Sequence, residues 1–518
     1  MNMQGKILHS MLIGLACITL TACQQENDEE VLARQAFLTH RQEVLDTFNA
    51  CERNATTALA SLVAVSRCSI FQVPENYEAP DARQIDLKVM VIPALNDLLE
   101  ADPLFLLAGG PGQAATDLVQ VAQIFSRVRT DRDIVLVDQR GTGELSPFDC
   151  QMGEEQEQAQ EVEALDPEFE EIIELQLQIL RDCLQTMEAS AEFYTTDIAM
   201  RDLDAIRQYL GYSQLNLWGA SYGSRAALAY LQAYPEFTRA VIIDAIAPPV
   251  ISLPLYNERD ASASLQKILD DCAGNDDCSA AYPELSEHYR QLIERLVIPQ
   301  AVTIVDDSDF SSTETTLADF EFLSVLRQVL YSREAQRLIP LIIEQAWQGN
   351  FKPVLALSSQ YSEAEINQGM FLSVICNEDY SLIDAALLAA ESDSEYLIQS
   401  EMFNRFVYEA CAIWPKRELD QEYFAAVSVD KPVLIFSGTL DPITPPQWGD
   451  LVHDALPNSM HFVLQGFAHG TPFTQCTSAM MNNFIELGDF SELESDCIAQ
   501  FKRRPFFVTP GGSSLPND

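Results

Sequence analysis

One short segment constrains this chain more than any other: Gly219-Ala220-Ser221-Tyr222-Gly223, set between the apolar run Leu215 to Trp218 and a helical pattern from Ser224 to Ala233. A short apolar run closed by glycine predicts a buried strand, and the spacing that follows predicts a helix. The chain therefore reverses from strand to helix almost at once, which small residues on either side of the serine permit. Such a turn lifts the serine hydroxyl above the end of a sheet, and the helix N-terminus behind it favours negative charge nearby.

A serine at neutral pH needs a base, and the base needs an acid to orient it. After a turn of this kind the acid and the base follow in that order, on loops beyond later strands. The run Val433-Leu434-Ile435-Phe436 continues through Ser437-Gly438-Thr439-Leu440 to Asp441, an aspartate just past a predicted strand. Of the later histidines, His453 falls in a helical stretch and His461 opens a strand, so only His469, in Gly466-Phe467-Ala468-His469-Gly470, lies on a strand-end loop. Ser221, Asp441 and His469 are thus expected as nucleophile, acid and base. Acyl transfer also needs donors for the developing oxyanion, and backbone N–H groups supply them with little reorganisation. Tyr222 is one expected donor. Gly110 is the other, in Leu107-Ala108-Gly109-Gly110-Pro111-Gly112; alone that loop reads as an ordinary turn, but it follows a buried strand and precedes the serine turn.

Strand and helix patterns alternate around these segments. Cys68 to Pro74 and Ile85 to Val91 read as an entry hairpin, Leu104 to Leu107 and Ile134 to Val137 as buried parallel strands, Asp197 to Leu210 as a helix, and Ala240 to Ile243 as a further strand. Beyond Pro248-Pro249 the pattern turns mainly helical until about Asp420, after which strands return at Val433 to Phe436 and His461 to Leu464. This predicts an α/β fold, a mostly parallel sheet interrupted by an inserted, mainly helical cap. The expected division is a leader over 1–22, a tether and N-terminal helix over 23–66 (the helix from Glu29 to about Val65), a first core part over 67–248, the cap over 249–422 and a second core part over 423–518.

Met1 to Ala22 carries Lys6 and the apolar run Met11 to Leu20, too short for a mature membrane span and suited to a signal peptide. Its end, Leu20-Thr21-Ala22-Cys23, resembles a bacterial lipobox, so Cys23 is expected to be acylated and to become the new N-terminus. A plain signal peptide is the alternative. Gln24 after the cysteine resembles outer-membrane sorting, which predicts a lipid-anchored protein facing the periplasm; a freely secreted protein is the alternative. Export makes cysteine pairing meaningful. Setting aside Cys17 and Cys23 leaves an even number, which fall into neighbours as Cys51 with Cys68, Cys150 with Cys183, Cys272 with Cys278, Cys376 with Cys411 and Cys476 with Cys497. Sequence alone does not choose among all pairings. No spacing suggests a metal site.

The formal net charge of −47 disfavours nucleic acid and anionic lipid as partners, so membrane attachment is expected only through Cys23. Much of it lies in Gly153 to Glu174, which continues through Leu177 to Leu180 with apolar residues at helical spacing, a surface helix.

Taken in order, the Val73-Pro74 hairpin, Gly109-Gly110-Pro111-Gly112, Asp138-Gln139-Arg140-Gly141-Thr142-Gly143, Tyr194-Thr195-Thr196 with Asp202-Leu203-Asp204, the Ser221 turn, Gly438-Thr439-Leu440-Asp441 and Gly466 to Gly470 resemble the prolyl aminopeptidase and tripeptidyl aminopeptidase family of secreted α/β-hydrolases. The resemblance runs from about Cys68 to Cys497 and is weakest in the cap. Ala108 departs from it, since many prolyl aminopeptidases carry histidine there; this weakens proline specificity more than peptidase activity. The resemblance implies release of one or a few residues from a peptide with a free N-terminus, without metal or organic cofactor. It also implies an acidic cap segment that holds the substrate ammonium, and Ile375-Cys376-Asn377-Glu378-Asp379 is similar to it, with Glu378 as anchor and Asp379 beside it. A solvated acidic pair is the alternative for these two. A carboxylesterase on the same residues is the alternative activity, because fold does not fix substrate, and a non-catalytic binding protein is the second. Oligomeric state is not legible in the sequence.

Overall fold

A computed structural model of the chain describes residues 31–51, 60–97, 99–145, 148, 169–305, 312–360, 366–392, 397–398, 401–470 and 474–513. Its centre is a nine-stranded sheet. The strands are β1 (Asn49–Ala50), β2 (Arg67–Pro74), β3 (Gln84–Ile92), β4 (Leu104–Leu107), β5 (Ile134–Val137), β6 (Leu215–Ser221), β7 (Thr238–Ile246), β10 (Val433–Gly438) and β11 (Ser459–Leu464), while β8 (Gln300–Val305) and β9 (Ser312–Leu317) form a separate antiparallel hairpin. The sheet order is β1-β2-β3-β5-β4-β6-β7-β10-β11. From β5 to β11 every pair is parallel, and only the β1-β2-β3 end and its junction with β5 are antiparallel.

Parallel strands need crossovers, which cover both sheet faces and make the central strands apolar throughout. Leu104, Phe105, Leu106 and Leu107 are all buried, and alternate residues enter opposite cores: Phe105 and Leu107 pack with Leu203, Ile206 and Leu228 on one face, Leu104 and Leu106 with Trp218, Phe436 and Phe484 on the other. The connection after β4 runs to β5 on one side, while β6 continues to β7 on the other. The chain thus switches direction between β4 and β6, and the crevice above their C-terminal ends is where an open α/β sheet binds ligands.

The main helices are α1 (31–45), α2 (Phe169–Thr186), α3 (Thr196–Leu210) and α4 (Tyr222–Ala233); then, between β7 and β10, α5 (Asn257–Ala273), α6 (Leu285–Leu296), α7 (Asp319–Leu330), α8 (Ile339–Trp347), α9 (Gln368–Val374) and α10 (Glu401–Ile413); and finally α11 (Pro446–Ala455) and α12 (Gln475–Leu487). Among the described residues the stretch between β7 and β10 is mainly helical, with the β8-β9 hairpin as its strand content. Part of it builds a core of its own from α5, α6, α7 and α8, which also takes in Leu440 and Phe506.

One expectation needs amendment. The N-terminal helix does not run on to Val65: α1 ends at residue 45, because the chain turns there to pair β1 with β2 and close the Cys51–Cys68 disulfide. α1 is docked rather than loose, its Arg41 giving two 2.6 Å hydrogen bonds to buried Asp133. The acidic run lies mostly outside the described residues, and its described end, α2, buries Ile173, Leu177 and Leu180 against the core. Of the disulfides, Cys51–Cys68, Cys272–Cys278, Cys376–Cys411 and Cys476–Cys497 are formed as expected. The fifth pairing involves Cys150, outside the described residues; Cys183 is disulfide-bonded. Cys23 also lies outside them. No described helix is long and apolar enough to cross a membrane.

Candidate active site

Ser221 closes β6 and α4 begins with the next residue. Its backbone has φ 57° and ψ −128°, a sparsely populated region that costs a non-glycine residue of order 1 to 3 kcal/mol and persists only where the surroundings enforce it. Those surroundings include the flanking glycines, through their small size. Neither has a left-handed backbone; both are needed for clearance. A Cβ on Gly219 would lie 2.1 Å from the carbonyl oxygen of Gly223, and a Cβ on Gly223 would lie 2.3 Å from that of Leu107 at the end of β4. Ser224 adds a clamp, its hydroxyl donating to the Ser221 carbonyl at 2.6 Å and accepting from Ala247 N–H at 2.9 Å.

The close approach to β4 brings the glycine loop to the serine. A Cβ on Gly109 would be 3.5 Å from the Cβ of Ser221, ordinary van der Waals contact, so the loop runs directly alongside. Gly110 has φ 106°, open only to glycine without strain. Tyr222 is the first residue of α4, where N–H groups have no acceptor within the helix. Both expected oxyanion donors therefore sit in segments that border Ser221.

The acid and base loops lie at the ends of adjacent strands. Asp441 follows β10 and His469 follows β11, and His469 Nδ1 lies 3.0 and 2.9 Å from Oδ1 and Oδ2 of Asp441. The Asp441 carboxylate is buried and accepts N–H bonds from Ile443 and Thr444 at 2.9 and 2.8 Å, with the Thr444 hydroxyl donating at 2.9 Å. Burial alone raises a carboxyl pKa; the His469 charge and these donors outweigh it, and Asp441 is held below the usual value. Burial likewise disfavours the His469 imidazolium, but Asp441 outweighs it and moves that pKa upward. Gly438 permits the pairing: a Cβ there would lie 2.3 Å from the Ala468 carbonyl oxygen, so only glycine lets the two loops touch. Tyr331, from the insertion, meets the His469 ring in a T-shaped contact with centroids 5.1 Å apart. The other two late histidines are engaged elsewhere, His461 with Ser437 and Asp450 and His453 with Ser459.

Glu378 and Asp379 are not exposed to receive a substrate ammonium. Both are fully buried in a π-helical turn, Ile375–Asp379, following α9. Glu378 accepts from Thr196 N–H at 2.7 Å, from the Thr196 hydroxyl at 3.0 Å, from Arg225 at 3.2 Å and from Tyr423. Asp379 takes two 2.8 Å bonds from Arg225 and one from Leu253 N–H. Carboxylates so occupied and so removed from water cannot also receive a substrate amine, nor are they a solvated pair. The expectation is corrected on that ground. Sequence reasoning missed the supporting residues Ser224, Thr444 and Gly438; Thr444, three residues past Asp441 and just before Pro445-Pro446, was open to recognition as a turn residue able to bond back to the aspartate.

The sheet order, the serine turn at the switch point and the acid–base pair at neighbouring strand ends agree with a family comparison: residues 102–474 match the model of the alpha/beta hydrolase fold. The chain belongs to the α/β-hydrolase fold family. It is a serine hydrolase of that family. Serine protease Hip1 of Mycobacterium tuberculosis is 24% identical to it over 403 residues, covering 73% of this chain and 76% of its own. Carboxylesterase B of the same organism is 26% identical over 471 residues, 85% of this chain and 88% of its own. Tripeptidyl aminopeptidase of Streptomyces lividans is 27% identical over 192 residues, 35% of this chain and 36% of its own.

Proposed function

We propose that this α/β-hydrolase is an aminopeptidase that releases one or a few residues from peptides with a free N-terminus through an acyl-enzyme. In this reading Ser221 attacks the scissile carbonyl, His469 takes the serine proton and returns it to the leaving amine, and Asp441 holds the imidazole in the required tautomer. The N–H groups of Tyr222 and Gly110 receive the oxyanion, and water then releases the acyl group. The observation that carries the chemistry is the Asp441–His469 pair beyond the C-terminal ends of β10 and β11, on the same end of the parallel sheet as the strained serine that closes β6. Peptide as the substrate class rests on the likeness to the Hip1 protease and tripeptidyl aminopeptidase. The likeness to carboxylesterase B, which spans more of the chain, favours ester hydrolysis as the second reading.

Two measurements test this. Ser221→Ala should abolish hydrolysis and labelling by a fluorophosphonate while leaving the melting midpoint nearly unchanged, since one small hydroxyl is lost; labelling that persists sinks the nucleophile. Aminoacyl and tripeptidyl naphthylamides should be cleaved by the unaltered protein, and their N-acetylated forms should not. Equal cleavage of both, or turnover confined to short acyl esters, gives the second reading the field.

A further inference from the structure

The buried carboxyls that do not bind substrate converge instead on the serine turn. Arg225, in the first turn of α4, is completely buried; its Nη1 and Nη2 meet Oδ2 and Oδ1 of Asp379 at 2.8 Å each, and Nη1 reaches Oε2 of Glu378 at 3.2 Å. On the other side Thr196, at the start of α3, gives its N–H to Oε1 of Glu378 at 2.7 Å and its hydroxyl to Oε2 at 3.0 Å. The Thr196 oxygen lies 2.8 Å from the Tyr222 hydroxyl. With the Thr196 proton directed at the carboxylate, the tyrosine is the donor in that pair. The relay therefore runs from Tyr222 through Thr196 to Glu378, and from Arg225 to both carboxyls. Burial and the Glu378 charge push the Tyr222 phenol well up, which keeps it a neutral donor.

Stability alone explains such a cluster poorly, because apolar residues of similar volume often replace buried ion pairs without loss. Its location is more telling. Both arms end on the first turn of α4, one residue and four residues after a serine whose backbone is held in a strained region. We propose that the Glu378–Asp379 turn of the insertion is a positioning element for this turn, acting through Thr196 and Arg225 to hold the Tyr222 N–H where the oxyanion forms. The inference rests on the reading of Ser221 as nucleophile and deepens it: neither carboxyl touches substrate, and the insertion contributes to the rate rather than only to selectivity.

The test removes the relay without removing the fold. Thr196→Val deletes the hydroxyl but keeps the shape and the backbone bond to Glu378. The expected result is a kcat lowered about ten- to a hundredfold, as for a misplaced oxyanion donor, with KM nearly unchanged and fluorophosphonate labelling slowed in parallel. Thr196→Ser should restore both. Tyr222→Phe breaks the same link from its other end, so it should reproduce the loss, and the double variant should be no worse than either single one. A lowered melting midpoint with unchanged kcat and labelling rate overturns the proposal and leaves a purely structural cluster; so do losses that multiply in the double variant. If the unaltered protein is not labelled at Ser221, the nucleophile reading falls and this one with it. Full-rate labelling of Thr196→Val sinks this one alone.

Discussion

At the scale of single residues, Asp441 decides how His469 titrates. A largely buried imidazole without a partner would lose its proton more readily than free histidine; the carboxylate at 2.9 Å reverses that and raises the pKa above the ordinary value of about 6.5. The base works only when neutral, so kcat/KM should fall as pH drops through a midpoint above about 6.5, whereas an unperturbed histidine would place the limb at that value. Asp441→Asn should lower kcat by roughly 10⁴-fold, because it favours the wrong tautomer, and should move the remaining acid limb downward. A pH–rate profile of the two proteins checks both; an acid limb that stays in place excludes His469 as the titrating base. Charge alone is a poor guide to such roles. Arg140, from a motif as conspicuous as the serine turn, is wholly buried and holds Asp202 at 2.7 and 2.8 Å, a bond between two segments rather than a site.

At the scale of elements, the site is an agreement between strand ends about how closely backbones approach. β4 and the start of α4 meet through Gly223, and the loops after β10 and β11 meet through Gly438. Gly438→Ala would set a Cβ 2.3 Å from the Ala468 carbonyl oxygen and 2.5 Å from that of Phe467, backbone atoms with no flexible side chain to give way. The expected outcome is a destabilisation of about 1 to 3 kcal/mol from overpacking and a loss of activity of a hundredfold or more from displacement of His469. Thermal melts and kcat on one substrate separate the two effects. A variant as active as the unaltered protein would mean that the His469 loop has room the structure does not suggest. By contrast Gly349 has open space at its Cβ, and size at that position constrains nothing.

At the scale of the whole molecule, segments far apart in sequence clamp the acid and base loops. Ser264 of α5 and Gln336 both donate to the Leu440 carbonyl, at 2.8 and 3.0 Å, next to Asp441. The C-terminal segment presses on the other loop, where a Cβ on Gly466 would lie 2.5 Å from Arg503 Cα, and Arg333 of the insertion covers the Phe467 ring at 3.7 Å. Placement of the molecule in the cell is a separate matter. The disulfides among the described residues suit an oxidising compartment. Lipidation at Cys23 remains our proposal: Cys23→Ser should shift the protein from the membrane fraction to the soluble one and remove the acyl mass from its N-terminus, and an unmodified start elsewhere ends the idea. The sequence by itself determined the alternation of strands and helices and the strand-end positions of Ser221, Asp441 and His469, because each is written in local periodicity or turn chemistry. Only the tertiary structure decided that Glu378 and Asp379 face Arg225 rather than a substrate, that Gly219, Gly223 and Gly438 serve clearance, and that the N-terminal helix stops to pair with β2. These depend on contacts between segments up to about two hundred residues apart, and an acidic pair reads the same in one dimension whether water or a guanidinium completes it.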